Sequence, residues 1–160
     1  MQILSPMLKP ELIQLDLEVE DKQALFAQTT SMLVPAGLAD QAQRDELLRL
    51  LVEREGLGCT CVGSGVAIPH AGLQGLGGTA LLLARIAQPL DYGEDEAGQH
   101  HHVDLVVLLV GPGDDPAEHL RLISRLCRML KDENFLGELR NAANAPDVLR
   151  AFEQVEERHP

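Results

Sequence analysis

The sequence predicts an α/β fold in which helices cover both faces of a central sheet. Residues 80–86 and 103–110 are continuous apolar runs, the pattern of central strands buried on both sides. Capped, amphipathic segments precede and follow them, so helices are available for each face. A chain of 160 residues is about one domain long, and residues 1–160 are read as a single unit with no internal repeat or linker. At that size roughly two-thirds of the unfolded surface can be buried. With one tyrosine, three phenylalanines and no tryptophan, the core must be aliphatic.

Taken in order, Ile13, Leu15, Leu17 and Val19 alternate with polar residues, which is the period of a half-buried strand. Asp21 can cap a helix carrying Leu25, Phe26, Thr29, Met32 and Leu33, stopped by Pro35-Ala36-Gly37. Asp40 begins a second helix with Leu47, Leu48, Leu50 and Leu51 on its apolar face, broken at Gly56. Arg54 falls in its last turn, where a cation favours the carbonyl end of the helix dipole. Residues 61–68 read as a strand, followed by the two apolar runs. Residues 89–102, polar and acidic, read as a loop or poorly ordered hairpin tip. After a turn at residues 111–115, Asp115 caps a helix with Pro116 at its first position and Glu118 at its third. Leu120, Ile123, Leu126, Cys127 and Leu130 form its expected buried side. Two further helices, near residues 132–141 and 146–156, close the chain.

The segment Gly63-Ser64-Gly65-Val66-Ala67-Ile68-Pro69-His70 carries the chemistry. Pro69 fixes one backbone angle and biases Ile68 toward extended conformations, so the imidazole of His70 leaves a strand end in a restrained direction. Near neutral pH a histidine keeps a neutral, nucleophilic ring nitrogen. His119 lies in the first turn of a helix that begins just past a buried strand, a place where free amides and the helix dipole favour anions. The bland readings are a Pro-His turn, a surface histidine and a common last-turn arginine.

Together with Arg54-Glu55, Thr60, Val103-Asp104-Leu105-Val106-Val107 and Glu118-His119-Leu120, that segment resembles the enzyme IIA proteins of the bacterial phosphoenolpyruvate-dependent phosphotransferase system. The resemblance is to the fructose/mannitol type, particularly its nitrogen-regulatory branch, and spans residues 13 to about 153. It implies a single-domain three-layer α/β/α sandwich with a central mixed β-sheet flanked by helices. It also implies that His70 accepts a phosphoryl group from a histidine-containing phosphocarrier protein, with His119 and Arg54 completing the site. A forked guanidinium matches two phosphoryl oxygens at once. Thr60, Ser64 and Gly65 are the expected phosphate-binding support, since glycines let backbone approach an anion closely. Such transfer needs alignment and electrostatic stabilisation and in principle no metal or other cofactor. The chain is then a phosphohistidine carrier, not a turnover enzyme on a small molecule.

Two positions depart from the family's pattern. Gly72 stands where a basic residue is usual, and His102 stands where proline is common before Val103-Asp104. His100-His101-His102 are sequential and lack the spacing that converges ligands on one metal ion. Cys59, Cys61 and Cys127 are an odd number, and reduced thiols packed in the structure are expected.

A formal charge of −12, from 13 basic and 25 acidic residues, argues against nucleic acid or an anionic membrane as partner. No apolar stretch approaches the ~20 residues of a membrane helix and the first residues form no signal peptide, so a cytoplasmic protein is expected. Two classes of function stay open. One is a phosphoryl-accepting component, either regulating partners such as a transporter subunit or sensor, or passing phosphate to a sugar-permease domain. The other is a non-catalytic binding module of the same fold.

Overall fold

The computed structural model describes residues 4–160. Its centre is a six-stranded mixed sheet in the order β1-β5-β6-β3-β2, with β4 also paired to β6. The strands are β1 (Leu8–Leu17), β2 (Cys61–Gly63), β3 (Val66–Ala67), β4 (His70–Gly72), β5 (Ala80–Glu94) and β6 (His100–Gly111). β1 is parallel to β5, β5 antiparallel to β6, and β3 and β4 parallel to β6. Every residue from Leu105 to Val110 is at most 1% exposed, as the apolar run of a centrally placed strand requires.

Among the described residues five α-helices flank the sheet: α1 (Lys22–Ser31), α2 (Gln41–Glu55), α3 (Pro116–Met129), α4 (Glu133–Asn141) and α5 (Ala145–Arg158). α1 packs on α2 and on β5, and α2 lies against β4. α4 packs on α5, which covers β1. Each start is capped by the side chain of the residue before it: Asp21, Asp40, Asp115, Asp132 and Asn144 accept from amides two or three positions into their helices. At Asp40 the cap is a full capping box with Gln43. The open carbonyls at the end of α4 are met from the sheet, where Arg85 donates to Leu139, Arg140 and Ala142. Buried Arg125 of α3 pairs with Glu156 of α5 at 3.3 Å, and Glu156 also accepts from the amides of Leu4 and Ser5.

Four details differ from the reading of the sequence. β1 begins at Leu8, and its buried residues are Leu8, Leu12 and Leu17, because Asp16 takes a positive φ of 55° and breaks the alternation. Pro10 is tolerated there because β1 is an edge strand, where a missing amide leaves no ladder bond unmade. Residues 61–68 are not one strand: Gly63, Ser64 and Gly65, all at positive φ, turn the chain so that β2 and β3 form an antiparallel pair. Residues 89–102 mostly continue the β5–β6 hairpin, with register shifts between Arg85 and Leu90 and between Asp91 and Glu94, and are closed at 95–99 by the Asp95 side chain accepting from Ala97 and Gln99. His100 and His101 are therefore strand residues held by Asp91, Glu94 and Asp95, not loop residues. Finally, Cys59 and Cys61 are joined as a disulfide, with Cα atoms 5.3 Å apart, where reduced thiols were expected.

Candidate functional site

His70 opens β4, opposite Leu109 of β6. The Pro69 carbonyl accepts from the Leu109 amide at 3.0 Å, and Ile68 is buried, so the backbone that delivers the imidazole is fixed on both sides of the proline. The ring itself is half-buried. Its Nδ1 lies 3.0 Å from the Ile68 carbonyl oxygen. A carbonyl can only accept, so Nδ1 holds the proton and Nε2 carries the free lone pair. That tautomer leaves Nε2 as the nucleophile.

β6 ends at Gly111, and Pro112-Gly113 turns the chain into α3, bringing His119 in its first turn beside His70. The two ring centroids are 5.9 Å apart, with planes tilted by 56°. His119 is half-buried and makes no side-chain hydrogen bond among the described residues. Burial, and secondarily the neighbouring His70, lower its pKa below the ordinary histidine value. His119 is thus held neutral near pH 7, able to donate one hydrogen bond without charge.

Gly72 leaves no room for a side chain where the family usually has a basic residue. A Cβ at position 72 would stand 2.9 Å from the Gly113 Cα, a contact that backbone cannot relieve without shifting. The missing side chain lets β4 approach the Gly111-Pro112-Gly113 turn that carries His119, and the Leu73 amide donates to the Gly111 carbonyl at 2.9 Å.

Arg54 occupies the last turn of α2, the helix that lies against β4. Its guanidinium donates to the Gly58 carbonyl at 3.2 Å and, among the described residues, pairs with no carboxylate. A cation without an anionic partner keeps its charge for an incoming anion.

The expected supporting residues are placed differently. The Thr60 hydroxyl is buried and donates to Oε1 of Glu55. Tyr92 donates to the same oxygen at 3.3 Å and Lys22 lies 3.6 Å from Oε2, so Thr60 belongs to a buried polar node at the end of α2. Burial and the Glu55 charge push the Tyr92 phenol far above its ordinary pKa. Ser64 and Gly65 lie beside the middle of β6: the Gly65 carbonyl accepts from Asp104 and Leu105, and Arg140 bridges the Ser64 carbonyl and Asp104. His70 is level with Leu109, about 13 Å of strand further on. The structure does not bring Ser64 and Gly65 to the histidines. Gly65 sits at a φ of 77°, a backbone conformation that side chains rarely adopt, which accounts for that glycine.

Sequence reasoning missed two things. Glu55 is the hub of the polar node, although its signal was a charged residue on the apolar side of α2. Leu120, expected to be buried, is 63% exposed and follows His119; Leu57, three residues after Arg54, is 82% exposed. Of the expected stripe on α3, Leu126 and Leu130 are buried and Ile123 and Cys127 are partly buried, while Leu122, Arg125 and Met129 complete the covered side. A cleft of about 600 Å³ beside Glu55 is lined by neither His70 nor His119. Among the described residues no group of three or more His, Cys, Asp or Glu is arranged to hold a metal ion. None of the described helices is long and apolar enough to cross a membrane.

Known proteins resemble this chain in sequence and in fold. The family model described as "Phosphoenolpyruvate-dependent sugar phosphotransferase system, EIIA 2" matches residues 6–155. A nitrogen regulatory protein of Bradyrhizobium diazoefficiens is 36% identical over 145 residues, 91% of each chain. A fructose-specific EIIA component of Haloferax volcanii is 30% identical over 147 residues, 92% of each. The crystal structure of the nitrogen regulatory protein IIA-Ntr from Neisseria meningitidis superposes with a TM-score of 0.80 at 27% identity, covering 92% of this chain and 97% of that one. The mannitol IIA of Escherichia coli, at 22% identity and a TM-score of 0.72, shares the fold. With nearly its whole length matched and its paired histidines at the junction of β4, β6 and α3, the chain belongs to the EIIA 2 family of phosphoenolpyruvate-dependent phosphotransferase systems.

Proposed function

We infer that this chain is a phosphoryl-accepting regulatory protein of a nitrogen-related phosphotransferase system, with His70 as the acceptor. The observation that carries the reading is the Nδ1 contact to Ile68, which frees Nε2 beside His119 at the positive end of α3. In the step, Nε2 attacks phosphorus in line as the N–P bond to the donor histidine breaks, and the donor ring leaves with its lone pair. Positive charge appears on the His70 ring as the bond forms, and the Nδ1–H···O=C contact stabilises it. His119 donates to an equatorial oxygen. The Arg54 guanidinium exchanges its single carbonyl contact for two phosphoryl oxygens.

The donor is a histidine-containing phosphocarrier in the cytoplasm. Exposed Leu57 and Leu120 supply apolar surface beside Arg54 and His119 for a protein partner. The output is a phosphorylation-dependent change in partner binding, because the phosphoryl group adds negative charge and acceptor oxygens at this rim. The regulated partner is a transporter subunit or a sensor.

The test is transfer from a phosphorylated carrier, followed by intact-mass and peptide analysis. One acid-labile addition at His70, absent from His70→Ala, is the expected result. Labelling of another residue, or full labelling of His70→Ala, overturns it. Onward transfer to a permease domain would instead assign the sugar-specific role, and a folded protein that takes no phosphoryl group would be a binding module.

A further inference from the structure

Cys59 and Cys61 stand at a structural junction. Cys59 follows Gly58, whose carbonyl holds Arg54, and precedes Thr60, whose hydroxyl is committed to Glu55. Cys61 is the first residue of β2. Two side-chain anchors of α2 are thus fastened to the two residues that flank Cys59. Both cysteines are partly exposed and line an open cleft of about 320 Å³ with Leu57, Gly58, Glu94, Asp95, Glu96 and His101. A small reagent can reach them. Cys127, by contrast, lies on α3, and burial raises its thiol pKa, which lowers its reactivity.

We propose that Cys59 and Cys61 form a reversible thiol–disulfide site whose state controls how firmly the 57–61 segment holds Arg54. The co-reactant is a low-molecular-weight disulfide. The Cys59 thiolate attacks it, forming a mixed disulfide and expelling one thiolate. The Cys61 thiolate then attacks the Cys59 sulfur, closing the protein bond and expelling the second. Two protein thiols are oxidised and one disulfide is reduced to two thiols, which take up the two protons the cysteines release. Excess small thiol reverses both steps. In a reducing compartment such a pair is switched and does not act as a permanent staple.

The consequence for the site rests on the phosphoryl-accepting reading. In the oxidised form the bridge closes a ring around Thr60 and holds Cys59, and so restrains the backbone next to it at Gly58, whose carbonyl keeps the guanidinium. Reduction frees that segment, and Arg54 exchanges its carbonyl for phosphoryl oxygens more readily. The reduced protein is therefore expected to accept phosphate several-fold faster. Glu94, Asp95 and Glu96 make the rim acidic, so a neutral disulfide should react faster than an anionic one, with the difference shrinking as salt is added.

The experiment uses the full chain equilibrated in mixtures of bis(2-hydroxyethyl) disulfide and 2-mercaptoethanol, trapped by alkylation and mapped by peptide mass. Two alkyl groups at Cys59 and Cys61 in reducing mixtures, and none in oxidising ones, are expected, with one smooth transition between. No interconversion, or oxidation confined to Cys127, overturns the site. Phosphoryl acceptance is then timed for both forms and for the Cys59→Ser/Cys61→Ser variant, which should be insensitive to the mixture. Equal rates in the two forms, with Arg54→Lys slow in both, overturn the coupling and leave the acceptor reading standing. If neither form accepts phosphate the acceptor reading fails, while the trapping result still decides the redox site.

Discussion

The Nδ1 atom of His70 sits 3.0 Å from the carbonyl oxygen of Ile68, two residues back along its own chain. Because the intervening residue is proline, that carbonyl and the ring it orients are parts of one stiff unit. Phosphorylation is therefore expected on Nε2. Long-range ¹⁵N–³¹P correlation in the labelled protein should show phosphorus coupled to Nε2, and coupling to Nδ1 would contradict the tautomer.

Arg54 and His119 are expected to act on the rate and not on the fold. Loss of one preorganised donor typically slows a reaction about 10²–10³-fold. Arg54→Lys and His119→Ala should each slow transfer by about that factor, while thermal unfolding stays close to the parent. Parent-like rates in both folded variants would assign them structural roles.

Gly72→Lys, which introduces the basic residue usual in the family, is expected to impair this protein. Its Cβ would press on Gly113 and displace the turn leading to His119. Overpacking of this kind costs about 1–3 kcal/mol, and transfer should slow at least as much as in His119→Ala. Stability and rate both equal to the parent would mean that the turn yields freely.

The two perturbed histidines act on stability in opposite directions. The folded pKa of His119 is lowered, so the stability its neutral form contributes is present above the unfolded value of about 6.5 and is lost as pH falls through the folded value. His100 is raised by its hydrogen bond to Asp91, so its contribution is present below about 6.5 and is lost as pH rises through the folded value. Urea unfolding across pH 5–8 should show a shallower acid-side loss in His119→Gln and a shallower alkaline-side loss in His100→Gln. Ring-proton titrations by NMR assign each step.

Glu55→Ala should be among the more damaging changes outside the histidine pair. It strands the Thr60 and Tyr92 hydroxyls beneath the surface and leaves Lys22 without its partner, which at ~1–3 kcal/mol for a buried unsatisfied group predicts a loss of about 2–4 kcal/mol in denaturant unfolding. Tyr92→Phe, which removes one donor only, should cost about 1 kcal/mol.

What the sequence disclosed follows from the range of the forces involved. Caps at Asp21, Asp40 and Asp115 are contacts over three residues and could be read directly, as could the buried strands around Leu83 and Val107. The His70 segment was legible because its stiffness is local. The surroundings of the Gly63-Ser64-Gly65 turn were not legible locally, because glycine serves equally for anion approach and for a tight reversal; which of the two applies depends on register against β6, a pairing with residues some forty positions away. Those of Thr60 were hidden for a related reason, since its partner Glu55 is brought to it by the end of a helix. The hairpin between Leu90 and Val103 was hidden by its polarity, because only Leu90, Tyr92 and Val103 mark its buried face and the rest of the ladder is held by backbone and His–Asp contacts.

The pairing of β5 with β6 has a consequence for the order in which the molecule is built. Only the residues 95–99 separate these two strands, so their register is found by closing a short loop. The parallel pairings of β1 with β5, and of β3 and β4 with β6, join distant stretches and must form later and more slowly. His70 reaches its neighbour only through the β4–β6 pairing, and His119 only through the turn that leaves β6. A chain caught with the hairpin formed and the crossovers open would hold most of its strand content and yet accept no phosphate. Competence at His70 therefore reports completion of the whole topology, and refolding followed by phosphoryl uptake should lag behind refolding followed by circular dichroism.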